Sequence, residues 1–453
     1  MLRKIFLAVC ICLTSMTSFS QSIDEKIANA INSADWFALD SIYRSAPKDS
    51  IHPYIEILSR GMLGHRFNHP DVSIPAFQEA FDTQSENLDL ETMVSAAIFF
   101  GKDLSKTGQN ELAASVINQA LDATRQDLDS VMVSELTSQA NRYTGLAAYN
   151  PYQIQFNGDS IGKVPFAIVP IGPVDKGGVM MRLRESSING MPADIIFDTG
   201  CTFSIISPEM AEKYGLIPLE GTKATMLGMG KTDGYFAIAK ELQLGNITVR
   251  DVPFSVTSIA SNHSEADQYL DDIKIILGND VMLQLKEITI DFITNNLTIP
   301  SKAPFIPVKT DAKPNMCFTP TYLLLCKCEI HNNPLLMLID SGYVHYATIG
   351  EAFFENNKQY VLDNGIKDTV REAGIGGFSL NERYMVPNMK ISLGGHTSEI
   401  PDIGVRTRPE VGALGSEGDG VIGLRTLMLY SFVRFNFVDF VLTTGTPRDT
   451  HLR

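Results

Sequence analysis

The sequence predicts a multidomain chain: an N-terminal all-α domain of helical hairpins, followed by two similar all-β lobes. Three observations predict it. Apolar residues recur at helical spacing up to about residue 146. Past Pro151 the texture changes to alternating apolar residues, β-branched runs and glycine turns, the pattern of strands. That β-rich part then repeats itself, in order and spacing, on either side of a proline-crowded stretch. The expected limits are a leader at 1–20, a helical domain at 21–150, a first lobe at 151–300, a linker at 301–320 and a second lobe at 321–453.

The leader comes first. Arg3 and Lys4 precede a short apolar run, Ile5 to Leu13, and Ser18-Phe19-Ser20 places small residues at a cleavage site. The run is too short to span a bilayer, so a cleaved secretory signal is expected, and with it export to the periplasm or beyond. Cys10 follows Leu7-Ala8-Val9, but Val9 is bulky for a lipoprotein box, and lipid anchoring is not expected. No later apolar stretch is long enough for a membrane span.

In the helical domain, Ile74, Phe77, Ala80 and Phe81 share one spacing, and Leu112, Ala113, Val116, Ile117 and Leu121 another. Asp71 and Ser73 offer helix-start chemistry, and Gly108 separates two helical runs. Pro75 to Ala80 and Leu112 to Ala123 resemble tetratricopeptide (TPR-like) helices without the full consensus. An irregular helical domain fits as well.

The two lobes align element by element. Met180 to Ser187 reads as a strand, Asn189-Gly190 as a turn, and Ala193 to Phe197 as a return ending at Asp198-Thr199-Gly200. Tyr322 to Ile330, Asn332-Asn333 and Leu335 to Ile339 repeat this, ending at Asp340-Ser341-Gly342. Pro192 stands as far before Asp198 as Pro334 before Asp340. Gly228-Met229-Gly230 has its counterpart in Gly374-Ile375-Gly376-Gly377. Ile276-Leu277-Gly278 matches Val421-Ile422-Gly423, and Ile290-Asp291-Phe292 matches Phe435-Asn436-Phe437. One Asp-Thr/Ser-Gly is an ordinary turn. Two, each behind an apolar strand and each ahead of an apolar-apolar-Gly strand, are more than turn chemistry explains.

On these motifs the chain resembles the aspartic peptidases, specifically retropepsin-like proteins, here as two tandem lobes like the pepsin-type enzymes. The resemblance covers about residues 165 to 445 and implies the bilobal acid-protease fold. It implies that Asp198 and Asp340 are the catalytic pair. It implies that Thr199 and Ser341 tie the two loops together, with Gly200 and Gly342 in close support. It implies a flap at Gly228, Met229 and Gly230, within Met226 to Tyr235, with Ala373 to Leu380 as the second lobe's counterpart. In pepsin-like enzymes only the first flap covers the cleft. The substrate is then a peptide or protein, and no oligomer is required, because both aspartates lie in one chain.

The residue types suit that chemistry. Two adjacent carboxylates cannot both ionise and so share a proton, for which this family is the standard example. Three features depart from the pattern: Cys201 and Tyr343 follow the two glycines, and Leu424-Arg425-Thr426 stands where the first lobe has Asn279-Asp280-Val281. Tyr343 is large enough to crowd the second carboxylate. Two functions therefore stay open, an aspartic endopeptidase and a catalytically inactive peptide- or protein-binding module of the same fold.

Other chemistries find little support. The net charge of -15 disfavours nucleic acid. His65 and His69 share a helical spacing but lack the rest of a zinc site, and Cys326-x-Cys328 is too tight for one, so no metal is expected. Gly228, Gly230 and Gly234 open no helix after a strand, so no dinucleotide cofactor is expected. Cys201 has no histidine near in sequence to make it a nucleophile.

Overall fold

The computed structural model describes residues 22–171, 178–304, 313–408 and 418–448. The expected leader lies outside them, as does the middle of the expected linker. The chain divides into two compact units, parting between Tyr149 and Asn150.

The first unit is helical from Ile23 to Ala147, and consecutive helices pack as antiparallel pairs. Acidic caps start several of them. Asp35 accepts from the Ala38 amide, Asp89 from Thr92 and Asp129 from Met132, each filling one of the donors that a helix start leaves open. The helix Pro70–Gln84 begins on proline, not at Asp71 or Ser73, because proline lacks the amide that the first turn cannot satisfy. Ser73 is instead fully buried and donates to Asp103 Oδ2 at 2.5 Å. In the helix Asn110–Thr124 the buried face is Ala113, Ala114, Ile117, Ala120 and Leu121. Leu112 sits beside that seam and is 43% exposed.

His65 joins the same polar centre, with Nδ1 3.0 Å from Asp103 Oδ2. Burial outweighs the attraction of Asp103 and pushes the imidazole down to about 4, so it stays neutral. Lys106, 3.1 Å from Asp103 Oδ1, supplies the cation that holds Asp103 ionised.

The second unit is β-rich, and its two lobes share one strand order. In the first, Gly178–Leu183 pairs with Ile195–Phe197, followed by Ile275–Leu277, Ile205–Ile206, Ile247–Thr257 and Lys231–Leu244. In the second the order is Leu324–Ile330, Asn333–Asp340, Gly420–Gly423, Ala347–Ile349, His396–Arg406 and Gly377–Leu393. Parallel and antiparallel pairings match at each step, including the buried parallel pair that carries the aspartate, Phe197 opposite Leu277 and Asp340 opposite Gly423. The lobes meet in a common sheet, where Glu287–Asp291 runs antiparallel to Phe432–Asn436 with Thr289 opposite Arg434. These are the strands whose residues matched in the duplicated sequence.

Details differ from the sequence reading. The strand expected over Met180 to Ser187 breaks at Arg184-Glu185, where Glu185 takes φ 52°, and resumes at Ser186–Ile188. The second lobe's turn falls on His331-Asn332, both at positive φ, rather than on Asn332-Asn333, because Ile330 pairs with Asn333. The buried strand Met316–Phe318 lies inside the expected linker and pairs with Leu324, Leu325 and Cys326. Cys326 and Cys328 share the buried face of their strand, and neither they nor Cys201 form a disulfide among the described residues. No helix among the described residues is long and apolar enough to cross a membrane.

Candidate active site

Asp198 stands at the end of the strand Ile195–Phe197 and Asp340 at the end of Asn333–Asp340. Both strands are apolar, so they are held rigidly in the interior and deliver each carboxyl to the seam between the lobes. The turns that follow are cross-tied. Thr199 Oγ1 donates to Ile339 O at 2.8 Å and accepts from the Ser341 amide at 3.0 Å. Ser341 Oγ donates to Phe197 O at 3.0 Å and accepts from the Thr199 amide at 3.0 Å. Both hydroxyls are 0% exposed, so all four bonds are shielded from competing water.

The glycines explain how the loops come so close. A Cβ on Gly200 would strike the Asp340 carboxyl, and one on Gly342 would strike the Asp198 carboxyl. Without side chains, their amides become donors instead. Asp198 Oδ1 accepts from Gly200 at 2.8 Å and from Gly342 at 3.1 Å. Asp340 Oδ1 accepts from Gly342 and Tyr343, both at 2.9 Å. The Gly342 amide thus donates to both carboxyls, which sets Asp198 Oδ1 and Asp340 Oδ1 side by side.

Burial pushes both carboxyls up. Asp340 rises further, because the Asp198 charge adds to its burial. The two carboxyls therefore titrate as one unit, and their closeness favours a single proton shared by the pair.

Two hairpins stand over this seam. In the first, Ala224–Leu227 pairs with Lys231–Leu244 across Gly228-Met229-Gly230. In the second, Ile366–Gly374 pairs with Gly377–Leu393 across Ile375-Gly376. Their tips touch: the Gly230 amide donates to Ile375 O at 3.2 Å, and a side chain at Gly374 would collide with Met229. The second tip also reaches the first lobe, where the Gly376 amide donates to Ala260 O at 2.7 Å and His263 stacks on Phe378 at 4.2 Å.

Residues 185–281 match the family model described as aspartyl protease. That match lies within the first lobe and includes the Asp198-Thr199-Gly200 turn. The match ends short of the second lobe, which repeats the first lobe's strand order and carries Asp340-Ser341-Gly342 at the equivalent place. Among solved structures, a crystal structure of a retropepsin-like aspartic protease from Rickettsia conorii is similar at 16% identity, with a TM-score of 0.20, over 33% of this chain and 93% of that one. No curated protein matches the sequence.

Within the first lobe, Asn279 holds a post that its motif alone did not reveal. Its Nδ2 donates to Thr199 O at 2.8 Å, behind the Asp198 turn. Asp280 Oδ1 accepts from the Ser204 amide and hydroxyl, both at 2.8 Å, and Oδ2 accepts from Tyr152 at 3.0 Å. Nothing in the local sequence points to Tyr152. Cys201 is no nucleophile: burial, then the charges of Asp198, Asp280 and Asp340, push its thiol well up, and Sγ donates to Phe203 O. Tyr343 does not use its size to displace Asp340, since its amide supports that carboxyl and its hydroxyl lies 2.6 Å from Thr348 Oγ1. Among the described residues no group of three or more His, Cys, Asp or Glu side chains could hold a metal ion.

Proposed function

We propose that the chain is an aspartic endopeptidase using Asp198 and Asp340 on one water. The observation that carries this reading is the placing of two carboxyls side by side by equivalent, cross-tied loops, with the Gly342 amide donating to both, at 3.1 Å to Asp198 and 2.9 Å to Asp340. Asp198, ionised, takes a proton from water. Asp340, protonated, donates to the scissile carbonyl oxygen. The water oxygen bonds to the carbonyl carbon, giving a diol. Collapse breaks the C–N bond as a proton passes to the leaving nitrogen, and the pair again holds one proton. The substrate is an extended peptide lying beneath the two hairpins and pairing with their edges. The leader read in residues 1–20 makes export part of the proposal, to be checked by N-terminal sequencing of the mature protein.

The test is a peptide-library digest with wild type and Asp198→Asn, from acid to neutral pH. Wild type should cleave, and the variant should lose roughly 10²–10⁴-fold or more. Activity should fall as pH rises through the upper apparent pKa of the pair, because Asp340 then loses the shared proton. A wild type that cleaves nothing at any pH would hand the site to the binding-module reading.

A further inference from the structure

Tyr343 and Cys201 follow the two active-site glycines, yet they connect to different things. Cys201 stays within its own loop. Tyr343 reaches two places. Its amide donates to Asp340 Oδ1 at 2.9 Å, and its hydroxyl lies 2.6 Å from Thr348 Oγ1 and donates to Glu372 Oε1 at 3.4 Å. Glu372 belongs to the strand Ile366–Gly374, just before the tip of the second hairpin. It is fixed there. Arg406 Nη2 donates to its two oxygens at 3.1 and 2.9 Å, and Asn381 Nδ2, on the other strand of the hairpin, donates at 2.6 Å. The Glu372 and Arg406 side chains are only 10% and 9% exposed. The tip beyond rests on the first lobe, with Ile375 against the apolar cluster of Met180, Ile196 and Ile276. One residue thus links the Asp340 carboxyl, through its amide, to the stem of a hairpin that bridges the cleft, through its hydroxyl.

We propose that Tyr343 is a positioning residue that couples the seating of the second hairpin to the acidity of Asp340. The proposal rests on the peptidase reading of the pair. An N–H donated to a carboxylate favours its ionised form. With the hairpin seated, the hydroxyl anchors hold the Tyr343 ring and aim its amide at Oδ1. With the hairpin lifted, Glu372 departs, one anchor is lost, and Asp340 grips its proton more tightly. Closure over a peptide therefore makes Asp340 a stronger acid when it must donate to the carbonyl.

Several groups face this pair. Asp198 and the neutral Cys201 thiol face Asp340 from the first lobe. Around Tyr343 stand His345, whose ring is 5.4 Å away, together with Glu372, Arg383 and Arg406. Asp368 lies 3.2 Å from Arg383. Tyr343→Phe alters none of these charges at neutral pH or below, so any shift it causes reports hydrogen bonding.

The experiment compares the full chain carrying Tyr343→Phe, Asn381→Ala or both. Asn381→Ala loosens Glu372 within the hairpin and leaves the dyad loop and the Arg406 pair in place. Two quantities are read: the alkaline limb of the kcat/KM–pH profile, and the titration of Asp340 in protein labelled with ¹³Cγ-aspartate, assigned with Asp340→Asn. Tyr343→Phe should raise both by roughly half a pH unit. Asn381→Ala should move them less in the same direction, and the double variant no further than Tyr343→Phe. A lower melting temperature with an unmoved limb and titration would make Tyr343 a packing residue only, and additive shifts would sever it from the hairpin. If wild type cleaves nothing, the titration still decides. A shift in Tyr343→Phe upholds the coupling and leaves the failure with the peptidase reading, whereas no shift overturns the coupling itself. If Tyr343→Phe does not fold, the Asp340 titration in Asn381→Ala decides alone: a rise upholds the proposal, and no rise overturns it.

Discussion

In the first lobe a carboxylate, Asp280, stands behind the aspartate loop; in the second an arginine, Arg425, stands at the matching distance along the chain. Asp280 takes both donors of Ser204, and the Ser204 hydroxyl in turn accepts from the Gly278 amide at 3.1 Å. In the second lobe the Gly423 amide goes to Tyr346 O at 2.7 Å, Thr426 Oγ1 donates to the same oxygen at 2.6 Å, and the Arg425 guanidinium lies 4.3 Å over the Tyr346 ring. The same glycine amide is satisfied by a side chain in one lobe and by backbone in the other. Asn279, which ties down the Thr199 carbonyl, has its place taken by buried Leu424, which cannot. The backbone plan is held by the parallel strand pair and the cross-tied turns. With those in place, the residues behind the loop were free to change chemistry as a set.

If the lobes differ only behind the loops, the chemistry should not see the difference. Asp340→Asn should then lose as much cleavage as Asp198→Asn, roughly 10²–10⁴-fold or more, and the double variant should lose little further, because both groups act on one water. Single-turnover rates on one peptide would show it. An Asp340→Asn protein that retains most of its activity would make the diverged lobe a scaffold.

The cross-tie offers the next contrast. Thr199→Val strands the buried Ser341 amide and Ile339 carbonyl, and Ser341→Ala strands the Thr199 amide and Phe197 carbonyl. Each should cost about 2–4 kcal/mol in urea unfolding. Near-equal costs keep the turns equivalent. A difference above about 1 kcal/mol would place more of the restraint in one lobe.

Asp280 and Arg425 should also differ in their response to pH. Burial raises the Asp280 carboxyl above its ordinary range. In the window between the unfolded and folded values the native state holds the proton more tightly than the unfolded chain. Its contribution is thus complete below the unfolded value and is lost as pH rises through the folded one. Asp280→Asn should flatten this part of the stability–pH curve relative to wild type, read from urea unfolding across the acid range. An unchanged curve would mean that Asp280 is ionised throughout, supported by Ser204 and Tyr152 strongly enough to overcome burial.

What was legible in the sequence is what recurs. The offset of proline from aspartate, the glycine after it and the apolar-apolar-Gly strand each occur twice, and the strand pairs of Phe197 with Leu277 and Asp340 with Gly423 follow from them. What was not legible depends on groups far apart in the chain. Tyr152 reaches Asp280 across 128 residues, and no local pattern marks it. The break at Glu185 and the turn at His331-Asn332 are set by strand register, which a run of apolar letters does not fix to the residue. The second hairpin meets the first because Gly228, Gly230, Gly374, Gly376 and Gly377 all lack side chains at the meeting point, a fact about five places at once.

The smallest expected effect is at Arg425. The guanidinium over Tyr346 is a partly exposed cation–π contact, which is worth about 1 kcal/mol. Arg425→Met keeps the stem and removes the charge. The backbone bond from Gly423 to Tyr346 does not involve that charge and should survive, so thermal stability should fall by about 1 kcal/mol or less. The loss should not depend on pH across the range where Asp280 titrates, because an arginine stays charged there. Cleavage should hold near wild type. A substantial rise in cleavage would show that the arginine restrains the second loop, and the divergence behind Asp340 would then be a brake on the chemistry instead of a neutral replacement.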